Sequence, residues 1–250
     1  MASFLQTYAL QEILFHENND YIIACKPAGL LAEEDPSGDV NLRGLLEKYL
    51  KETYPWKKRA ICQLVNRLDK PVGGLLICAK KQSILVELQN QFTERKVKKE
   101  YLAIIEGIPS KPSALLKNYL RKSQKEFRAI PALASDPEAK MAELEYQVID
   151  QRENYSLLRV LLKTGRFHQI RFQLSQIQCP IWNDVWYGAK KILPEPMIGL
   201  YSYALTLRDP KSKDKQTFVC FPDVEKLPWS MFKENITQMA SSKSITDFKL

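Results

Sequence analysis

The apolar residues of this chain fall into runs of strand length, such as residues 74–79 (GLLICA), and this limits what it can fold into. No run approaches the roughly 20 apolar residues that a membrane-spanning helix needs, so no transmembrane span is expected. Residues 20–25 (DYIIAC), 60–65 (AICQLV), 75–80 (LLICAK), 99–107 (KEYLAIIEG), 144–149 (LEYQVI) and 155–162 (YSLLRVLL) read as short strands punctuated by turn residues. Residues 201–207 and 217–221 read as a hairpin across a charged loop. Helical spacing intervenes three times. Leu42, Leu45, Leu46, Tyr49 and Leu50 predict an amphipathic helix that starts near Asn41 and stops at about Thr53, before Pro55. Ile84, Leu85, Leu88 and Phe92 predict a second. In the third, Phe167, Ile170, Leu174 and Ile177 share a face while His168, Arg171 and Ser175 point elsewhere. With 250 residues, 45% of them hydrophobic and 26% charged, the chain has enough apolar surface for one domain with its core at about residues 10–232. The polar residues 233–250 are expected to fray.

Thirty-seven Lys and Arg against 29 Asp and Glu leave a net charge of +8, which favours polyanionic partners through phosphate neutralisation. Candidate contacts are Lys57, Lys58, Arg59, Arg95, Lys96, Lys98 and residues 111–128, where six basic residues face one acidic residue. Residues 129–140, rich in Pro, Ala, Ser and Asp, read as a loop. The five cysteines, at 25, 62, 78, 179 and 220, form no C-x-x-C pair and mostly sit in apolar runs, so reduced core thiols are expected. His16 and His168 are the only histidines, and no metal or redox cofactor is expected. The N-terminal residues lack the pattern of a secretory signal, which predicts a cytoplasmic protein.

Asp69 stands in a loop, residues 66–74, between two predicted strands, a place where a scaffold can hold a reactive carboxylate. Alone it reads more readily as a turn or capping residue, and Arg171 as a surface or salt-bridging arginine. The surrounding residues carry more. Asn66-Arg67-Leu68-Asp69-Lys70-Pro71-Val72-Gly73-Gly74-Leu75-Leu76 resembles the H-R-L-D-x-x-[TV]-S-G-L-[LV] motif of the RluA-like pseudouridine synthases. Thr164-Gly165-Arg166-Phe167-His168-Gln169-Ile170-Arg171 resembles that family's T-G-R-x-H-Q-[IL]-R, and Pro180-Ile181-Trp182-Asn183-Asp184 with Tyr187-Gly188 resembles its P-I-x-G-D and Y-G. Lys26-Pro27-Ala28-Gly29 and Lys99-Glu100-Tyr101-Leu102-Ala103 resemble its K-P-x-G and K-x-Y-x-A.

The resemblance implies isomerisation of uridine in RNA to pseudouridine without a cofactor, on an α+β fold whose mixed, largely antiparallel sheets are flanked by helices around a central cleft. It makes Asp69 the essential carboxylate, as nucleophile or proton acceptor. It pairs Arg171 with that carboxylate to keep it ionised and oriented. Tyr101 would pack on the target base, and Arg67 would fill the gap left by the flipped uridine. Arg166 and Ile170 are the remaining expected substrate-binding residues, while His168 would help set the Arg171 helix. Three departures stand out: Asn66 for His, Gly73 for Ser and Asn183 for Gly. Only some twenty residues precede the first catalytic strand, so no N-terminal S4 domain is expected. Binding of structured ribosomal or transfer RNA would then rest on the catalytic domain, acting as a monomer. The competing reading is a non-catalytic RNA-binding or assembly factor that retains the fold. A glycosidase pairing Asp69 with Asp184 fits the basic charge less well.

Overall fold

The computed structural model describes residues 10–56 and 61–242. Lys57, Lys58, Arg59 and residues 243–250 lie outside the described residues. Helix α1 (Leu10–Ile13) leads into β1 (Leu14–Glu17) and β2 (Tyr21–Lys26), followed by α2 (Leu42–Thr53), β3 (Gln63–Leu64), β4 (Gly73–Ala79), α3 (Gln82–Thr93) and β5 (Lys98–Glu106). Then come β6 (Ser113–Lys122), β7 (Ala129–Pro131), β8 (Lys140–Arg152), β9 (Tyr155–Leu162), α4 (Gln169–Gln176), β10 (Leu200–Arg208), β11 (Lys215–Val219) and α5 (Lys233–Ser241). The described strands make one sheet in the order β1-β2-β4-β10-β5-β9-β8-β6-β7, with β3 also on β4 and β11 on β10. Its ladders are antiparallel except β4 with β10, so the architecture is α+β as expected.

Strand β4 shows why an unbroken apolar run suits this sheet. Successive side chains point to opposite faces, and both faces are covered. Leu76 and Cys78 join Leu42, Leu46 and Leu50 of α2 in the main core, whereas Leu75 and Ile77 join Ile84, Leu85 and Leu88 of α3 on the other side. Asn41 caps α2 by accepting a hydrogen bond from the Gly44 amide at 2.9 Å.

Three expectations are corrected. Residues 129–140, expected as a loop, begin with β7, and the basic residues before them include β6, on which Lys117 and Lys122 stay exposed. Lys117 pairs with Glu143 at 3.1 Å and Arg121 with Asp136 at 3.1 Å. Only Leu120 of β6 is fully buried, so this strand carries little of the apolar alternation that reveals a strand in sequence. The predicted tail begins as helix α5, anchored by Ile236 against Trp229 and Phe232. Finally, Cys25 on β2 pairs with Cys220 after β11 as a disulfide, while Cys62, Cys78 and Cys179 are free and buried. A separation of 195 residues leaves no local signal for that pairing. No helix among the described residues is long and apolar enough to cross a membrane.

Candidate active site

The Asp69 loop is tied down from two sides. Asn66 accepts a hydrogen bond from the Ile77 amide at 2.9 Å, and the Val65 amide donates to the Ile77 carbonyl at 2.8 Å. Beneath the loop, the fully buried Lys26 ammonium donates to the carbonyls of Pro27, Leu30 and Lys70 at 3.0, 2.7 and 3.2 Å. Burial lowers its pKa to about 7, against the pull of Asp69. Lys26 thereby joins the K-P-x-G turn to the residue following Asp69.

Two of the departures from the family motif have visible compensations. A Cβ at Gly73 would lie 2.8 Å from the Tyr201 ring, so the ring fills the space a serine would need. Asn183 adopts φ +63°, a region asparagine tolerates, and its amide bonds the backbone of Ile192, Leu193 and Met197. Asn66 keeps the loop bonded without a charge.

Arg171 reaches the loop from α4. The start of that helix is organised by Thr164, whose hydroxyl donates to the Gln169 side chain at 2.7 Å. Gln169 in turn accepts from the Arg166 amide and donates to the Glu143 carbonyl, each at 3.0 Å. His168, just before the helix, turns through φ +51° and becomes buried.

The guanidinium does not grip Asp69 with its fork. Nε and Nη2 bind the buried Asp184 at 2.7 and 2.8 Å, leaving Nη1 to donate one bond to Asp69 Oδ2 at 3.1 Å. Nη1 also donates to His168 Nε2 at 3.1 Å, and His168 Nδ1 contacts the Tyr187 hydroxyl at 3.0 Å. Burial lowers the His168 pKa to about 4, so the ring is neutral near pH 7 and its Nε2 is an acceptor. The protonated nitrogen is therefore Nδ1. The two carboxylates hold the Arg171 pKa above its ordinary value despite burial. Among the described residues no hydrogen bond reaches Asp69 Oδ1, and the Asp69 side chain is 29% exposed. The arrangement is an anchored carboxylate with one oxygen open.

Tyr101 lies on β5 opposite Ser202 and Val160, with its ring in the main core. Burial, with Asp69 adding to it, raises its phenol pKa to about 12, and the hydroxyl stays neutral. Ile170 packs into the same core cluster at 5% exposure, so it supports the site from behind. Arg166 is half-buried and donates to the Met141 carbonyl at 3.1 Å, an internal contact. Arg67 projects into solvent, its side chain 77% exposed and 3.8 Å from Glu33. The fold thus gathers Asp69, Tyr101 and Arg171 and leaves Arg67 at the rim. Sequence reasoning missed Asp184 as the partner of the guanidinium fork, although the P-I-x-G-D resemblance contained it. It also missed that the turn after β6 reaches the site, where the Ala129 amide donates to Tyr187 Oη at 2.8 Å.

Residues 20–176, more than half of the chain, match the family described as RNA pseudouridylate synthase. The chain is 34% identical over 186 residues to a ribosomal large subunit pseudouridine synthase C of Rickettsia prowazekii, covering 74% of this chain and 59% of the relative. It is 33% identical over 181 residues to the protein of that name from Buchnera aphidicola subsp. Baizongia pistaciae, covering 72% and 55%. The chain therefore spans less than two thirds of the length of these relatives. Its fold is similar to that of human RNA pseudouridylate synthase domain containing 4, with a TM-score of 0.73 at 20% identity, covering 91% of this chain and 94% of the other.

Proposed function

Since the chain belongs to the RNA pseudouridylate synthase family, we propose that it isomerises specific uridines of ribosomal RNA to pseudouridine, with Asp69 as the essential carboxylate. The observation that carries this reading is the anchored Asp69, held on Oδ2 by one Arg171 bond and open on Oδ1. An ionised, oriented oxygen is what attack on C1′ or proton uptake requires. In the reaction the N1–C1′ bond breaks, the base turns, and a C5–C1′ bond forms. C5 then loses its proton, and N1 carries one.

Arg171 orients Asp69 while Asp184 fixes Arg171, so the guanidinium acts as a rigid relay between a buried and an open carboxylate. The Tyr101 ring offers a stacking face to the flipped base beside a neutral hydroxyl. The solvent-exposed Arg67 is free to enter the gap in the RNA stack. Ribosomal RNA is favoured over transfer RNA by the names of the relatives, and such a substrate would be met in the cytoplasm.

Chemical mapping of pseudouridine in ribosomal and transfer RNA, from cells with and without the protein, tests the proposal. Loss of a ribosomal site that returns with the natural protein but not with Asp69→Asn supports it. A complete set of sites without the protein favours a non-catalytic binding role, and loss confined to transfer RNA moves the substrate.

A further inference from the structure

Beside the carboxylate lies an aromatic surface that the proposed chemistry leaves without a task. Phe167 stands at the position that T-G-R-x-H-Q-[IL]-R leaves open, and it is 38% exposed. One of its faces stacks on His168, with ring centroids 3.9 Å apart. Trp186, two residues after Asp184, is 52% exposed, and its ring centroid lies 5.8 Å from the Arg171 guanidinium carbon. Phe127 is 61% exposed in the turn between β6 and β7.

That turn is docked on the residues carrying Trp186. Arg128 Nη1 donates to the Trp186 carbonyl at 3.1 Å, and the Ala129 amide bonds Tyr187. Lys122, at the end of β6, places its ammonium over the Phe167 ring, 4.8 Å from the centroid, so a base stacking on the face away from His168 has to displace this flexible side chain. Single exposed aromatics are ordinary on protein surfaces, but here they adjoin a reactive carboxylate and carry cations between them. Aromatic faces interleaved with flexible cations are the chemistry that holds unstacked nucleotides, the rings taking bases and the cations taking phosphates.

We propose that Phe167 and Trp186, extended by Phe127, form a stacking shelf for the unpaired bases that flank the target uridine, with Lys122 and Arg128 contacting the adjoining phosphates. The shelf rests on the pseudouridine synthase reading for the identity of its RNA. It starts one side chain from the chemistry, because Arg171 bonds Asp69 at 3.1 Å and lies 5.8 Å from the centroid of the Trp186 ring. Phosphate contacts alone would position any strand, whereas the shelf favours sequences whose flanking bases leave their stack readily.

The test uses the full chain and two short single-stranded RNAs with a central uridine, one flanked by purines and the other by abasic residues. Trp186→Ala should weaken binding of the purine-flanked RNA by about tenfold, the effect of losing one base–aromatic stack. It should leave the abasic RNA unaffected, and Trp186→Phe should restore most of the loss. Phe167→Ala should act in the same direction. An equal loss on both RNAs, or no loss on either, would overturn the shelf. Should the alanine variant melt early, purine-dependent quenching of tryptophan fluorescence in the natural protein, absent in Trp186→Phe, decides the same point. Single-turnover isomerisation on ribosomal RNA separates the two readings. A purine-dependent affinity without pseudouridine formation keeps the shelf and rejects the reaction, while normal isomerisation without that dependence does the reverse.

Discussion

Two buried arginines meet carboxylates in this fold, and they do so differently. Arg159 of β9 donates through Nε to Glu100 of β5 at 2.7 Å, with Tyr203 of β10 and Lys98 closing on the same carboxylate at 3.0 and 2.9 Å. The Glu100 side chain is 2% exposed. Arg171 is equally buried but stands between two carboxylates, one sealed and one 29% exposed. The first arrangement satisfies a charge inside the protein. The second joins a sealed pair to a partly exposed carboxylate, the arrangement that the proposed reaction would use.

The largest effect that would break this contrast is Asp69→Asn. It should lower the isomerisation rate by at least about a hundredfold, in the range that a positioned acid, base or nucleophile supplies, with little change in melting temperature. Substantial turnover by this variant in a single-turnover assay would remove Asp69 from the chemistry. Glu100→Gln should do the opposite. Breaking a buried ion pair costs about 3–5 kcal/mol, read as a lower denaturant midpoint, while enzyme that stays folded keeps its rate.

Arg171→Lys tests the relay itself. A lysine retains charge but cannot bind Asp184 with a fork and Asp69 with a third nitrogen, so the rate should fall about 10- to 100-fold, equivalent to a charged hydrogen bond of about 1.5–3 kcal/mol. An unchanged rate would mean that Asp69 does not need orienting.

Acid should reach the site through His168. Its folded pKa, about 4, lies below the ordinary imidazole value of 6.5, so the fold favours the neutral ring. That contribution is fully present above pH 6.5, declines as pH falls toward 4, and levels off below. Urea denaturation of the natural protein and His168→Gln should show a gap that narrows on acidification. A gap independent of pH would mean that the ring is not held neutral. The smallest effect is expected from Lys117→Glu. Its partner Glu143 already offsets the natural charge, and removing an exposed pair changes stability by about 1 kcal/mol or less. A collapse of RNA affinity would make Lys117 a principal phosphate contact.

How much of this was legible depended on where the signal lay. The helix expected from Asn41 to about Thr53 is α2, because apolar spacing and a capping Asn are local properties of the chain. Helix α4 is shorter than its apolar face suggested, ending before Ile177, and its entry depends on Gln169 bonding residues of β8 and the preceding loop. Strands β6 and β7 were illegible because charged and polar residues interrupt the apolar pattern of β6 and β7 has only three residues. Asp69, Tyr101 and Arg171 were named from motif resemblance, yet their proximity was not readable, since 102 residues separate the bonded Asp69 and Arg171.

The sequence by itself determined the α+β class, the strand-rich core and the family resemblance that singles out Asp69, because apolar periodicity and motif order are properties of neighbouring residues. Only the tertiary structure decided which partner Arg171 grips, that Cys25 meets Cys220, and that the turn after β6 comes to rest against Tyr187 and Trp186. Those outcomes depend on sheet order. The path β4-β10-β5-β9-β8-β6 carries segments distant in the chain to one rim, and strand order is set by how whole faces pack rather than by any local pattern.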